Sequence, residues 1–242
     1  MSAPLGQLIA AVSVPITVAT GGGVLATRRP PAPKVRSAVQ HFAAGLVFAV
    51  AATELIPDLS HDGDPGAVAA GFLIGLALLL TISFVPQRLA ARRGAVGESP
   101  VAALAAIGVD VLIDGLLMGI AFGQGGHAGL LLTAALTVEL AFLGLSIVDA
   151  MTEGGHSNRE AIVATGLISL LLLVGGVAGV TVLGDLHGNL LAAVLAFATV
   201  ALLYLVTEEL LTEAHEQPDT PLLTSLFFIG FLILLLLSMV GE

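Results

Sequence analysis

The sequence predicts an all-α integral membrane protein with eight transmembrane helices, and three observations carry that prediction. Hydrophobic residues make up 57% of the 242-residue chain, its mean hydropathy is +1.03, and only 11% of its residues are charged. That composition suits lipid and not a large soluble core. Eight apolar stretches, each near the ~20 residues a spanning helix needs, are separated by short loops punctuated by Gly, Pro, Asp and Asn. All eight Lys and Arg residues fall in odd-numbered connections between the stretches, a regularity that a miscounted span would scatter over both faces.

The stretches run over roughly 4–27, 37–57, 66–86, 101–123, 129–151, 161–183, 190–214 and 221–240. The first lacks a basic segment before it and is too long for a signal-peptide core, so it reads as a retained span. RRPPAPKVR separates it from the second stretch, which carries His41 at its start and ends in ATELIPD, with Glu54 and Asp58. The breaker-rich DLSHDGDPG and QRLAARRGAVGESP bound the third. The fourth, VAALAAIGVDVLIDGLLMGIAFG, holds Asp110 and Asp114, which are four apart and so share one helix face. On its other side Gly115, Gly119 and Gly123 recur every four residues, a stripe that admits close helix packing and makes this span central. GQGGHAG leads into the fifth, where Glu139 sits mid-span and Ser146 lies on the same face two turns further on. The Ser146 hydroxyl is expected to bond back to its own helix. TEGGHSNRE and GDLHGN bound the sixth. The seventh ends in TEELLTEAHE, with Glu208, Glu209, Glu213 and His215, and HEQPDTP leads to the eighth. Glu208, Glu216 and Asp219 read as ordinary interfacial acids. No segment is left for a soluble domain, so residues 1–242 form one transmembrane domain.

The basic residues orient the chain. Arg28, Arg29, Lys34 and Arg36 follow the first stretch, Arg88, Arg92 and Arg93 the third, and Arg159 the fifth. The positive-inside rule assigns that side to the cytoplasm, with both termini outside. The opposite side carries Asp58, His61, Asp62 and Asp64, then His127, then Asp185 and His187, and no Lys or Arg. These residues fit a solvated acidic loop as well as a vestibule that concentrates cations.

The apolar stretches as bounded contain no basic residue, so Asp110, Asp114 and Glu139 have no cationic neighbour within the membrane. A carboxylate at that depth costs at least about 3 kcal/mol and is usually functional. Without a partner it either takes a proton or binds a cation. The net charge of −10 favours cations and disfavours nucleic acid, and with no Cys in the chain disulfides and thiolate ligands are excluded. The strings ELIPD and ELLTE, at opposite membrane faces in the second and seventh stretches, suggest inverted repeats: spans 1–3 related to spans 6–8, with the fourth and fifth between them.

With these residues assembled, the chain resembles the ZIP (Zrt/Irt-like) family of divalent-metal transporters over its whole length. HFAAGLVFAVAATELIPD (41–58) is similar to that family's second span and LLYLVTEELLTEA (202–214) to its seventh. The family's fourth-span pattern H-N-x-x-E-G reads here Asp110-Val111-Leu112-Ile113-Asp114-Gly115. Its fifth-span pattern H-E-x-P-E-G reads Glu139-Leu140-Ala141-Phe142-Leu143-Gly144. The resemblance implies a ZIP-like 3+2+3 arrangement and places Asp110, Asp114 and Glu139 at metal-ligand positions. Val111, Leu140 and Leu143 stand where the family has an asparagine and two carboxylates, so a two-metal centre is not available from these positions.

Three carboxylates make a hard, oxygen-only site, suited to Mg, Mn or Ca at least as well as to Zn, while Zn and Fe(II) also bind carboxylates with water completing the shell. The expected function is transport of a divalent metal, as substrate, toward the cytoplasm, with no enzymatic activity and no organic cofactor. Glu54, Asp58, His61 and Asp62 would form an entrance, and His41, Asp149, Glu209 and Glu213 an exit. The partners are the lipid bilayer of the plasma membrane and the metal ion, with a homodimer as a compatible assembly. A non-transporting ZIP-like protein that binds metal for sensing, or assembles with a partner, is the alternative. A proton-coupled carrier of an organic cation is a third reading.

Overall fold

A backbone in lipid must satisfy its own polar groups, so apolar stretches of this length can only be helical. The computed structural model describes residues 3–29, 31–92, 100–124, 126–183, 186–218 and 220–241, with the side chains of residues 3, 62, 84–92, 100–103, 153 and 241 set aside. Among them there is no strand. Eight helices are long and apolar enough to cross a membrane: Pro4–Ala26, Pro33–His61, Pro65–Ser83, Leu104–Gln124, Gly126–Thr152, Asn158–Leu183, Gly188–Ala214 and Pro221–Val240, numbered here as spans 1 to 8. This is a multi-pass helical membrane protein. Of the acidic-loop residues, Asp185 lies outside the described residues, as does Asp219.

The one consequential shift is at span 2. Its helix starts at Pro33, with proline at the position where a missing N–H costs nothing, and so takes in Lys34 and Arg36. Likewise span 6 starts at Asn158 under a capping box between Ser157 and Glu160, and takes in Arg159. The expectation that no span carries a basic residue is therefore corrected: the helices extend past the apolar stretch into the interfacial residues.

Helix exposure sorts the spans. In span 5 67% of the apolar window is buried within the molecule, against 17% in span 3. Spans 2, 4, 5 and 7 form the interior, while spans 3, 6 and 8 present Leu73, Ile74, Leu167, Val174, Phe228 and Met239 outward, a surface suited to bilayer contact. The closest helix pairs are span 1 with span 5, span 4 with span 6, span 2 with span 8 and span 3 with span 7. Glycine sets how near they come. A Cβ on Gly115 would lie 2.3 Å from the Leu172 carbonyl oxygen of span 6, and one on Gly119 2.3 Å from that of Gly176. The small-residue stripe of span 4 thus packs on span 6, leaving the opposite face of span 4, with its aspartates, for span 5.

Spans 2 and 7 are each interrupted by a π turn, Ala51–Leu55 and Leu205–Leu210, in which Ile56 N–H donates to Ala51 O and Leu211 N–H to Val206 O. In span 2 the cause is local: Pro57 has no N–H for the Thr53 carbonyl and its ring crowds that turn. Span 7 has no proline there, and its sequence offers no comparable cause. Each π turn carries one extra residue and rotates the downstream helix by about 100° relative to an uninterrupted one. A third π turn, Gly179–Leu183, closes span 6.

Candidate metal centre

Span 4 rises from its residue-100 end, so Asp110 and Asp114 lie a turn apart near its middle and on one face. Span 5 runs the other way and brings Glu139, also near its middle, against that face. One carboxylate oxygen from each of Asp110, Asp114 and Glu139 lies within 4.8 Å of the others. Two oxygens on opposite sides of a cation bound at about 2.1–2.5 Å are about 4–5 Å apart, so this spacing is compatible with a shared ion.

Asp114 and Glu139 are 2% and 5% exposed, and Asp110 is half-buried. Asp114 Oδ2 and Glu139 Oε2 are buried with no hydrogen-bond partner among the described residues. Buried carboxylate oxygens are normally satisfied, and leaving one bare costs about 1–3 kcal/mol or more when charged. Two such oxygens in one cluster, with no ion pair to a basic side chain among the described residues, leave a place for a positive charge.

Span 7 contributes a fourth carboxylate. Glu209 is close enough to Asp110, Asp114 and Glu139 for its charge to act on all three. Glu209 falls inside the π turn Leu205–Leu210, beside an exposed Glu208. The sequence places Glu209 with the exit residues; the structure joins it to the centre. The signal for this is the π turn, which helical periodicity cannot anticipate.

Of the other exit residues, Glu213 is near enough to Glu139 for its charge to act there, while His41 and Asp149 have partners of their own. His41 is buried, its Nδ1 2.8 Å from the Ser37 carbonyl and its ring edge-on to His215 at 5.3 Å. Glu213 accepts from Gln40 Nε2. Asp149 is ion-paired with Arg36 at 2.9 Å, and Arg36 also donates to Ser146 Oγ at 2.9 Å. The Ser146 hydroxyl is therefore engaged by span 2, where a bond back to its own helix is expected from sequence. Arg36 itself reads in the sequence only as an orienting loop charge.

Among the described side chains, the entrance residues form no group spaced to hold a metal. Glu54 accepts from Ser238 Oγ at 2.7 Å and Thr53 Oγ1 at 3.3 Å, with His127 Nδ1 3.9 Å away. Asp58 and His61 are exposed on the short helix Ile56–Asp62, and the Asp62 side chain lies outside the described ones. Among the described residues, the Asp110–Asp114–Glu139 group is the one cluster spaced to hold a metal.

Val111 and Leu140, where the ZIP-like pattern would have polar ligands, are fully buried and apolar. Comparison with known families and with curated proteins finds no match: no family model and no curated relative aligns with this chain.

Proposed function

We propose that the protein is a membrane carrier that binds a divalent metal cation at Asp110, Asp114 and Glu139, with Glu209 at the edge of the site, and passes it toward the side bearing Lys and Arg. The observation that carries this reading is the convergence of three mid-span carboxylates, two of which, Asp114 and Glu139, have a buried oxygen with no partner among the described residues. The donor set is all oxygen, which suits Mn or Mg and admits Zn and Fe(II). The positive-inside rule makes the receiving side the cytoplasm.

The ZIP-like 3+2+3 arrangement draws support from the pairing of helices. Exchanging spans 1, 2, 3 and 4 for 6, 7, 8 and 5 turns the pair 1–5 into 6–4 and the pair 2–8 into 7–3, and both members of each exchange are close pairs here. The similar strings ELIPD and ELLTE also each begin in a π turn, at Glu54 and Glu209. Spans 4 and 5 then lie on the pseudo-symmetry axis, where a repeat-built carrier keeps its substrate site.

Uptake of Mn, Zn, Fe(II), Co, Cd and Mg into proteoliposomes tests the proposal. Asp110→Asn and Glu139→Gln should lower flux of the preferred ion at least about tenfold; unchanged flux in both variants overturns it. The apolar Val111 and Leu140 beside the centre favour a second reading, a metal-binding protein that does not transport. Equilibrium binding without flux in the same preparation would select that reading.

A further inference from the structure

At the basic end, the first two turns of span 2 are tied to both of its interior neighbours. Arg36 bridges Asp149 and Ser146 of span 5. Ser37 Oγ donates to the Ala214 carbonyl at the end of span 7 at 2.8 Å, and Gln40 Nε2 donates to Glu213. Arg36 is also near enough to Glu213 for its charge to act there, so one guanidinium serves acids on two helices. Ser37 and Gln40 are 1% and 2% exposed, and Arg36 is about one-third exposed, so the ties are interior ones with the guanidinium reaching the surface.

Their position relative to the centre gives the ties a meaning. Ser146 is seven residues beyond Glu139, two turns along the same face and about 10 Å toward the basic end. Asp149 is one turn further. Along that face Leu143 lies between Glu139 and Ser146; Ser146 is the next polar group, and there a leaving cation meets the Arg36 guanidinium. We infer that Arg36, held by Asp149 and Ser146, is a tethered-cation latch that closes the exit between the three-carboxylate centre and the basic face. The role as an exit rests on the transport reading; the closure itself does not.

The latch works by exchange of charge. While Arg36 neutralises Asp149, neither acid of the exit attracts an ion strongly, and the guanidinium repels one approaching from the centre. An ion that does arrive supplies the positive charge these acids need, so Arg36 can leave without stranding a bare carboxylate. The bidentate fork suits this: one donor to a carboxylate and one to a hydroxyl hold spans 2 and 5 in register, a geometry that a lysine point charge cannot reproduce.

The absence of cysteine makes the latch directly readable. Ala44 is fully buried on the same face of span 2, two turns deeper than Arg36. In full-length protein in nanodiscs, Ala44→Cys should react slowly with a hydrophilic maleimide. Adding Arg36→Ala should speed labelling about fivefold or more, the scale of a partly exposed ion pair. Asp149→Asn should do the same, and Arg36→Lys should give an intermediate rate. Raising ionic strength should speed labelling with Arg36 present and leave the Arg36→Ala rate unchanged. Labelling that ignores both Arg36→Ala and Asp149→Asn overturns the latch, and Asp149→Asn decides the matter alone if Arg36→Ala does not fold. The two proposals fail separately: flux that ignores Asp110 and Glu139 removes the carrier, whereas labelling that ignores Arg36 removes the latch whatever the flux.

Discussion

Asp114 and Glu139 bring a stability cost that their function would justify. Each has a buried oxygen without a partner, and both face Asp110 across less than 4.8 Å. Replacing one of a set of mutually repelling, unpaired acids by its amide should relieve that cost. Glu139→Gln is therefore expected to stabilise the metal-free protein by about 1–2 kcal/mol, a rise of roughly 2–8 °C in melting temperature for a chain of this size. The same variant should lose most of the stabilisation that added Mn or Zn confers. Thermal unfolding in detergent with and without metal checks both halves, and a metal-free Glu139→Gln that melts lower than the parent contradicts the account.

Among the elements, the π turn of span 7 and the glycines of span 4 do the positioning. Glu208 and Glu209 are adjacent, yet Glu209 is half-buried and near enough to Asp110 for their charges to interact, while Glu208 is exposed. Glu209→Ala should weaken metal binding about tenfold or more and Glu208→Ala should leave it unchanged, as read by titration calorimetry. Equal effects would mean that the π turn does not set the face. On the far side of span 4, Gly115 has no room for a Cβ against Leu172 O. Gly115→Ala should cost about 1–3 kcal/mol through overpacking. Because Asp114 is the neighbouring residue, it should also lower metal affinity, a pairing that a purely structural glycine would not produce.

For the whole molecule, the two ends differ in how they are closed. Arg36, Ser37 and Gln40 tie span 2 to spans 5 and 7 at the basic end. At the other end Glu54 is held by Ser238 of span 8, with His127 3.9 Å off. Under the transport reading proposed above, that asymmetry corresponds to closure toward the basic face, the arrangement in which the latch would be engaged. Ion binding that links spans 4, 5 and 7 through one site should stabilise the whole bundle. At about 100 times the dissociation constant the gain is about 2.7 kcal/mol, reversed by chelator. A melting temperature that does not respond to any of the divalent ions tried would leave the bundle without a metal site.

Span number and the extent of each apolar stretch are legible in the sequence because both rest on a local quantity, the length of apolar chain between breakers. The face shared by Asp110 and Asp114 is legible for the same reason, since a four-residue spacing needs only an α-helix. The meeting of Glu139 with that face is only half legible: its depth can be counted, but its direction depends on how span 5 packs on span 4. Three features lie beyond the sequence. Glu209 reads as an exit residue because its place near the basic end of its stretch can be counted, whereas its approach to Asp110 depends on how span 7 packs against span 4. The helix of span 2 runs past its apolar stretch, so Arg36 reads as a loop charge. Its bonds to Asp149 and Ser146 join residues 113 and 110 positions apart. Composition and periodicity determined eight spans with Asp110, Asp114 and Glu139 at mid-depth; tertiary packing alone decided that Glu209 approaches Asp110 and that Arg36 is tied to Asp149 and Ser146, because contacts between distant helices leave no periodic trace along the chain.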